Sequence, residues 1–329
     1  MKKILVFSNG EKIGDGIIKL PLLNEVKKRL PGYHFTWVTN LGPTVFNSRL
    51  KNIAGQYIDE IIEKVNLMPY FWKPISLNYN FENEYFDYIF DTQKAIYRTI
   101  ALKRIKCDQF ISACGNGIFS TKKIKKINKS RNYYLYDLYE LLDLIKKEDI
   151  DKEFKIEIPQ SLQENLKTIF CSNNKYIGIA PGAGEKNKIW PLEKFIEVGK
   201  FYQKNNYEVV LYLGPDEKYI KERLLIEFPN AILPEDLIKG FSNVEIVMGT
   251  TKFLSCAITN DSGISHMLST GYCPLIKLFG PKDSLKFTPK NNFIKTISSV
   301  EMNSKEVKVI PVEKVLIEAN NILNLKFSF

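Results

Sequence analysis

Four groups that can bind a sugar or a phosphate lie within residues 259–266, directly after the apolar run 254–258. That run predicts a buried strand, and open α/β sheets bind ligands in the loops at the carboxyl ends of their strands. The groups are the carboxylate of Asp261, the hydroxyl of Ser262, the flexible backbone N–H of Gly263 and the imidazole of His266. The same residue types are also ordinary turn and helix-capping sequence, and a lone histidine is more often structural than catalytic.

A second carboxylate follows the first predicted strand. Residues 8–16 read Ser-Asn-Gly-Glu-Lys-Ile-Gly-Asp-Gly, which fits neither the dinucleotide-binding glycine motif nor a phosphate-binding P-loop. Asp15 stands where the next helix is expected to begin, and a helix N-terminus favours the ionised carboxylate. An ionised carboxylate that faces a cleft is a competent general base, so we predict that role for Asp15, with helix capping as the alternative.

Two further loops contain residues that suit a nucleotide diphosphate. Residues 181–184 read Pro-Gly-Ala-Gly, and a small residue such as Gly182 lets backbone N–H groups approach an anion. Lys188 adds a positive charge in the same loop. Glu217 follows another predicted strand, where an acidic residue can accept hydrogen bonds from ribose hydroxyls. The alternative for the loop with Lys188 is a plain surface loop with exposed lysines. The alternative for Glu217 is an acidic residue that begins a helix.

These loops require parallel strands that alternate with helices, and the chain has that alternation twice. Strands are predicted within residues 4–7, 35–38, 57–62, 88–90 and 109–112, and again within 176–180, 208–213, 255–259 and 274–279. Helices are predicted within residues 21–30, 134–146, 192–205, 217–227, 245–254, 262–269 and 312–323. We therefore predict an α/β protein with two Rossmann-like, doubly wound domains, residues 1–160 and 172–310, that face a central cleft. Residues 311–329 contain a predicted helix that can cross back to the first domain.

The composition restricts the class of protein and its partners. With 329 residues, 44% of them hydrophobic, the chain can bury two cores, and its net charge of +10 attracts anions. The lysines are scattered and accompany no nucleic-acid-binding motif, so no nucleic acid is expected. The five cysteines show no paired spacing, which supports neither a metal site nor a disulfide framework. No segment approaches the ~20 apolar residues of a spanning helix, so we expect a cytoplasmic protein that can contact an anionic membrane peripherally.

One aromatic group in the first half has no assigned role. Tyr70, Phe71 and Trp72 are consecutive and lie in a loop that matches no motif. They could stack on a sugar, contact a membrane or simply pack against the protein, and packing is the expectation.

Taken in order, these segments resemble the bacterial ADP-heptose:lipopolysaccharide heptosyltransferase family, whose members have the two-domain GT-B fold. The resemblance covers nearly the whole chain. It rests on KILV followed by IGDGIIKLPLL, then PGYHFTWVTN, FDYIFDTQ, YIGIAPGAGEKNKIWPLEKF, YEVVLYLGPDE, TNDSGISH and PLIKLFGPKD.

The resemblance implies inverting transfer of a heptose or a related sugar, without metal or cofactor, from a nucleotide diphosphate donor such as ADP-heptose to a lipid-linked or oligosaccharide acceptor of the lipopolysaccharide core. Asp15 is then the base that deprotonates the acceptor hydroxyl. Lys188 stands at the family's KxWP lysine and neutralises charge on the departing diphosphate. Gly182, Glu217, Asp261, Ser262 and Gly263 belong to the donor site, with His266 in a supporting position. The implied location is the inner face of the cytoplasmic membrane.

The chain departs from the family in its first loop. Family members usually have a basic residue near Ser8, whereas this chain continues with Asn9, Gly10 and Glu11. The departure bears on the sugar and the acceptor more than on the chemistry, and no acceptor-binding residue is predicted. Two other functions stay open from sequence: a sugar-nucleotide epimerase of the same fold, and a non-catalytic nucleotide-sugar binding protein.

Overall fold

A computed structural model describes residues 1–124, 134–149, 156–214, 217–271, 273–280, 288 and 293–326. The chain divides into two compact units, Met1–Ile156 and Glu157–Phe329. Each is an α/β unit built on one five-stranded sheet whose strand pairs are all parallel. No helix in the described ranges combines the length and the apolar character that crossing a bilayer requires.

The sheet of the first unit has the strand order β3-β2-β1-β4-β5. Its strands are β1 (Lys3–Ser8), β2 (His34–Thr39), β3 (Glu60–Ile62), β4 (Tyr85–Asp91) and β5 (Lys106–Ser112). Its described helices are α1 (Ile13–Arg29), α2 (Lys51–Ala54), α3 (Ile96–Leu102) and α4 (Tyr134–Leu142). Ile4 and Phe7 of β1 are fully buried, as expected of a central parallel strand that is covered on both faces.

The sheet of the second unit has the strand order β10-β9-β8-β6-β7. Its strands are β6 (Lys175–Ala180), β7 (Tyr207–Leu211), β8 (Cys256–Asn260), β9 (Leu275–Phe279) and β10 (Ile294–Ser298). Its described helices are α5 (Gln160–Ile169), α6 (Leu192–Lys204), α7 (Lys218–Glu227), α8 (Pro234–Leu237), α9 (Asn243–Thr250), α10 (Gly263–Leu268) and α11 (Val312–Lys326). One face of the sheet packs against α6 and α11 around Trp190 and Phe195.

The structure differs from the sequence prediction at the edges of the second unit. Residues 161–171, predicted to separate two domains, lie largely in α5, whose buried Leu162 and Leu166 pack toward α9 in the second unit. Helix α11, predicted to be able to cross back to the first domain, packs on α6, β9 and β10 of the second unit. The edge strand β10 was not predicted.

Candidate functional site

The strand order of each sheet reverses at one place, and the predicted site residues cluster there. In the first unit the reversal falls between β1 and β4, and in the second between β6 and β8. At such a point the two loops leave the sheet in opposite directions, so a crevice opens at the carboxyl ends of the strands. Asp15 follows β1, Gly182 and Lys188 follow β6, and residues 261–263 follow β8.

Asn260 fastens the two loops of the second unit to each other. This last residue of β8 is fully buried. Its Oδ1 accepts a hydrogen bond from the backbone N–H of Trp190 at 3.1 Å, and its Nδ2 donates to the carbonyl of Pro181 at 2.7 Å. An amide can donate and accept at once, which a carboxylate of similar shape cannot. Asn260 therefore fixes both ends of the loop 181–190, a role that the sequence analysis did not assign.

Lys188 and Asp261 meet across these loops. The Lys188 ammonium lies 2.8 Å from Oδ2 of Asp261, and the two side chains are only 13% and 8% exposed. Lys188 ends the short 3₁₀ turn Lys186–Lys188, and its Nζ is also 3.7 Å from Oε1 of the exposed Glu185. Charge-assisted contacts with little water nearby are stronger than those on an open surface. The structure thus joins two predicted site residues that are far apart in sequence.

Ser262 caps α10, as the capping alternative predicted. Its hydroxyl accepts from the backbone N–H of Ser265 at 3.4 Å, and the Ser265 hydroxyl accepts from the backbone N–H of Ser262 at 3.3 Å. Gly263 is the first residue of the helix and is exposed. The backbone N–H of Asp261, the residue before this cap, donates to the carbonyl of Leu278 on β9 at 3.0 Å, so Asp261 is fixed to the sheet.

Gly182 and Glu217 are also neighbours. Glu217 precedes α7, and a methyl group placed on Gly182 would overlap its carboxylate. A methyl group on Gly214 would lie 2.5 Å from Glu217 Oε2. A side chain at either position would therefore require the Glu217 carboxylate to move. In this structure the anion that approaches Gly182 is the Glu217 carboxylate itself.

His266 is held in its neutral form. Burial lowers its pKa to about 3, and the positive charges of Lys277 and Lys188 add to that effect. A histidine with so low a pKa does not supply a cation near neutral pH. The family resemblance implies that His266 supports the donor site, and a neutral ring is compatible with that role.

Lys277 is a buried charge that sequence reasoning missed. It lies on β9, beside Thr259 of β8, and is fully buried. Its Nζ has no hydrogen-bond partner among the residues that the structure describes, and it lies 5.5 Å from the ring centroid of Phe279. Burial lowers its pKa to about 8, and the negative charge of Asp261 opposes that shift. The sequence feature that could have revealed this buried charge is a lysine inside the apolar run of a predicted strand.

Asp15 lies in the first turn of α1 and is exposed. The N-cap residue is Lys12, so the capping alternative for Asp15 is wrong. Burial raises the pKa of Tyr134 to about 12, and the negative charges of Asp15 and Glu11 add to that effect. The Tyr134 hydroxyl donates to the carbonyl of Thr92 at 3.1 Å. The charge of Asp15 therefore acts on a phenol that is hydrogen-bonded to the residue directly after β4.

Glu11, the residue that departs from the family pattern, is turned into the first unit. Its Oε1 lies 2.9 Å from Nζ of Lys19, and both side chains are nearly inaccessible. The Lys19 ammonium also lies 5.8 Å from the ring centroid of Trp37. The carboxylate of Glu11 is therefore neutralised internally.

Asp91 at the end of β4 is a second buried carboxyl group of this switch point. It accepts from Thr99 Oγ1 at 2.7 Å and Ser112 Oγ at 2.8 Å, and burial raises its pKa to about 6. These bonds tie β4 to β5 and to α3. Among the described residues no group of three or more His, Cys, Asp or Glu side chains could hold a metal ion.

Comparison with known proteins agrees with this architecture. Residues 79–316 match the family model of glycosyltransferase family 9 (heptosyltransferase). The chain is 21% identical over 307 residues to the lipopolysaccharide core heptosyltransferase OpsX of Haemophilus influenzae, covering 89% of this chain and 84% of that protein.

Two solved structures are similar in fold. A glycosyl transferase of family 9 from Veillonella parvula has a TM-score of 0.73 at 18% identity, covering 98% of this chain and 97% of that one. The E. coli heptosyltransferase WaaC with ADP-2-deoxy-2-fluoro heptose has a TM-score of 0.66 at 17% identity, covering 97% and 99%. The predicted α/β fold of the GT-B class is confirmed.

Proposed function

This chain belongs to glycosyltransferase family 9, the heptosyltransferases, and from that membership we propose that it transfers a heptose or a related sugar from a nucleotide diphosphate donor to an acceptor of the lipopolysaccharide core. The protein is a glycosyltransferase. The relative OpsX is named for the lipopolysaccharide core, and the similar WaaC structure contains an ADP-sugar analogue, which favours an ADP-linked donor.

The observation that carries the proposal is the Lys188–Asp261 pair at the switch point of the second sheet. We place the donor diphosphate against Lys188, whose ammonium is preorganised by Asp261 and by the loop that Asn260 fastens. A diphosphate leaving group develops negative charge as its bond to the sugar breaks, and a fixed cation in a poorly hydrated site stabilises that charge. Asp261 then has two tasks, to hold Lys188 and to accept hydrogen bonds from the donor sugar.

The remaining donor contacts follow from the family pattern. Glu217 is proposed to bind the ribose hydroxyls, with Gly182 providing the space for its carboxylate. Ser262 and Gly263 are proposed to present backbone N–H groups to the donor, and His266 to support that loop as a neutral ring.

Asp15 is the proposed general base of an inverting, metal-independent transfer. Its carboxylate takes the proton of the acceptor hydroxyl as the acceptor oxygen forms a bond to the anomeric carbon. The bond between that carbon and the diphosphate oxygen breaks with its electron pair staying on the diphosphate, so a single displacement inverts the anomeric configuration. The exposure of Asp15 and its place in the first turn of a 17-residue helix favour an ionised, accessible carboxylate.

The proposed acceptor is lipid-linked or an oligosaccharide, so we place the protein at the inner face of the cytoplasmic membrane. The net charge of +10 favours approach to an anionic lipid surface or to phosphorylated core sugars.

An assay with ADP-heptose and a truncated lipopolysaccharide acceptor tests the proposal by following both ADP release and the glycosylated product. We expect Asp15→Asn to lower kcat by about 10²–10⁴-fold, the range of general-base catalysis, with little change in donor binding. Glu82→Gln, an exposed acid of the same unit, is the matched control and should leave the rate unchanged.

Lys188→Met tests the donor site in the same assay. We expect kcat to fall by about 10²–10³-fold, as for the loss of one fixed group that stabilises developing charge, whereas Lys186→Met in the same turn should change it little.

Product stereochemistry tests inversion, and an unchanged rate in a chelator tests metal independence. ADP release or sugar isomerisation that ignores the acceptor would instead indicate an epimerase or a hydrolase. Donor binding without any turnover would indicate a binding protein.

A further inference from the structure

The loop that contains Tyr70, Phe71 and Trp72 is a fixed hairpin. The backbone N–H of Met68 donates to the carbonyl of Ile75 at 2.8 Å, and that of Leu77 donates to Asn66 at 3.3 Å. Leu67 and Ile75 at its base are buried in the core of the first unit. The hairpin therefore projects from the core as a unit rather than as a loose loop.

Arg104 holds the tip of this hairpin, residues 69–74, from the inside. Its Nη1 donates to the carbonyls of Met68 and Tyr70, both at 2.8 Å, and its Nη2 donates to that of Lys73 at 2.6 Å. A planar guanidinium can satisfy several carbonyls at once and so fixes the backbone of the turn. Ordering of the tip is thus complete before any partner binds, which removes part of the entropic cost of binding.

The side chains of the tip point outward. Phe71 is 82% exposed and Trp72 is 80% exposed, while Tyr70 stacks on Trp72 with ring centroids 5.3 Å apart. The expectation that these residues pack against the protein is therefore wrong for Phe71 and Trp72. Single exposed apolar residues are normal, but three consecutive aromatic side chains at the tip of a fixed hairpin form a contact surface.

The two chain segments that form and support the tip contain basic but no acidic residues. Residues 64–81 contain no Asp or Glu. Residues 93–106, the segment that includes Arg104, contain none either. Exposed lysines flank the tip at Lys64 and Lys73 and continue at Lys103. Glu63, just before this stretch, is occupied as a hydrogen-bond acceptor of the Thr44 N–H at 2.6 Å.

We propose that this aromatic tip docks the protein onto an anionic lipid bilayer, with Phe71 and Trp72 entering the interface and the surrounding lysines contacting phosphate headgroups. Aromatic side chains favour the zone between water and hydrocarbon, and lysines beside them gain from the negative surface potential. The lysines of these two segments and their lack of acidic residues favour lipid over a protein partner, because protein interfaces are depleted in lysine. The inference goes beyond the proposed sugar transfer, since it concerns binding to a surface in the absence of donor and acceptor.

Flotation of the full chain with vesicles tests this surface without any sugar substrate. Vesicles of phosphatidylcholine with about one third phosphatidylglycerol should carry the protein at about 0.1 M salt, and pure phosphatidylcholine should carry much less. Phe71→Ser combined with Trp72→Ser should lower the partition coefficient at least about tenfold, because two apolar side chains no longer leave water. Lys73→Gln should lower it by about fivefold, the effect of one basic residue near an anionic surface.

Tyr219→Ser combined with Ile226→Ser is the matched control. Both residues are 78% exposed and lie on α7 of the second unit, so the loss of apolar surface is similar but in a different place. This variant should bind vesicles as the wild type does.

Trp72 gives a direct second measurement. The chain has three tryptophans, and the other two, Trp37 and Trp190, are fully buried. A blue shift of the emission on adding anionic vesicles therefore reports entry of Trp72 into the interface, and Trp72→Phe should abolish the shift while retaining binding.

Three results would overturn the inference: no vesicle binding by the wild type, vesicle binding that the tip variant retains in full, or a self-association that only the tip variant abolishes. The last would make the tip a protein interface. None of these results depends on sugar transfer, and a loss of transfer activity would leave the vesicle result standing.

Discussion

Replacing Lys277 with methionine should stabilise the second unit at neutral pH. The side chain is fully buried, and its ammonium has no hydrogen-bond partner in the described part of the chain. A buried ammonium loses its hydration, and the attraction of Asp261 recovers only part of the loss. Methionine has a similar length and fills the same space without a charge, so Lys277→Met removes the cost and keeps the packing.

The size and pH dependence of the effect follow from the pKa. Folding lowers the pKa of Lys277 from 10.5 to about 8. This difference corresponds to about 3 kcal/mol of destabilisation at pH 7, where both the folded and the unfolded chain carry the proton. Between pH 8 and 10.5 the folded chain releases the proton before the unfolded chain does, so the wild-type second unit should gain stability as the pH rises through that window. The methionine variant should lack that gain.

Urea unfolding followed through Trp190 measures the second unit alone, in a background with Trp37→Phe and Trp72→Phe. Lys295→Met on the neighbouring strand β10 is the control, since that lysine is half exposed and its replacement should change stability by less than about 0.5 kcal/mol. A Lys277→Met variant that is less stable than the wild type at pH 7 would refute the reasoning. It would mean that Lys277 makes favourable contacts that outweigh its desolvation.

Two further predictions concern residues of the second unit. Gly182→Ala should raise the donor KM at least about tenfold, because the new methyl group displaces the Glu217 carboxylate. Gly184→Ala is the control and should keep the wild-type KM, because its methyl group meets no atom within 4 Å. Equal KM values for both variants would count against a role for Glu217. The ring signal of His266 should stay constant in a proton NMR titration from pH 8 to 5, because its pKa is about 3, and His34→Gln assigns the only other histidine signal. Since the pKa of His266 is lowered by folding, the stability it contributes is lost as the pH falls below 6.5.

The positions of the strand-exit loops could be predicted because buried parallel strands are short apolar runs. Residues 4–7 and 176–180 correspond to β1 and β6; Lys188 lies in the loop after β6, and Asp15 follows β1 in the first turn of α1. The proximity of Lys188 to Asp261 follows from the same topology, since the carboxyl ends of neighbouring parallel strands lie at one edge of the sheet.

Features that depend on non-local contacts could not be predicted. Helix α5 has only two buried apolar residues among polar ones, so its pattern resembled a linker. Strand β10 lies at the sheet edge and includes exposed Lys295, which hides its alternation. The tip that presents Phe71 and Trp72 outward is held by hydrogen bonds from Arg104, about thirty residues later, and such a contact cannot be read from the local sequence.

The charges around Asp261 explain why the destabilising Lys277 side chain suits a site for the proposed donor. Two ammonium groups, of Lys188 and Lys277, act on one mostly buried carboxylate, and His266 stays neutral because of its burial, to which the two positive charges add. One positive charge is therefore in excess among the buried groups of this switch point, and it costs stability in the absence of an anion. A bound diphosphate would reverse that balance, because it brings negative charge to a site that already holds the compensating cations. Such a cost is expected where a site is built for its ligand rather than for the stability of the empty protein.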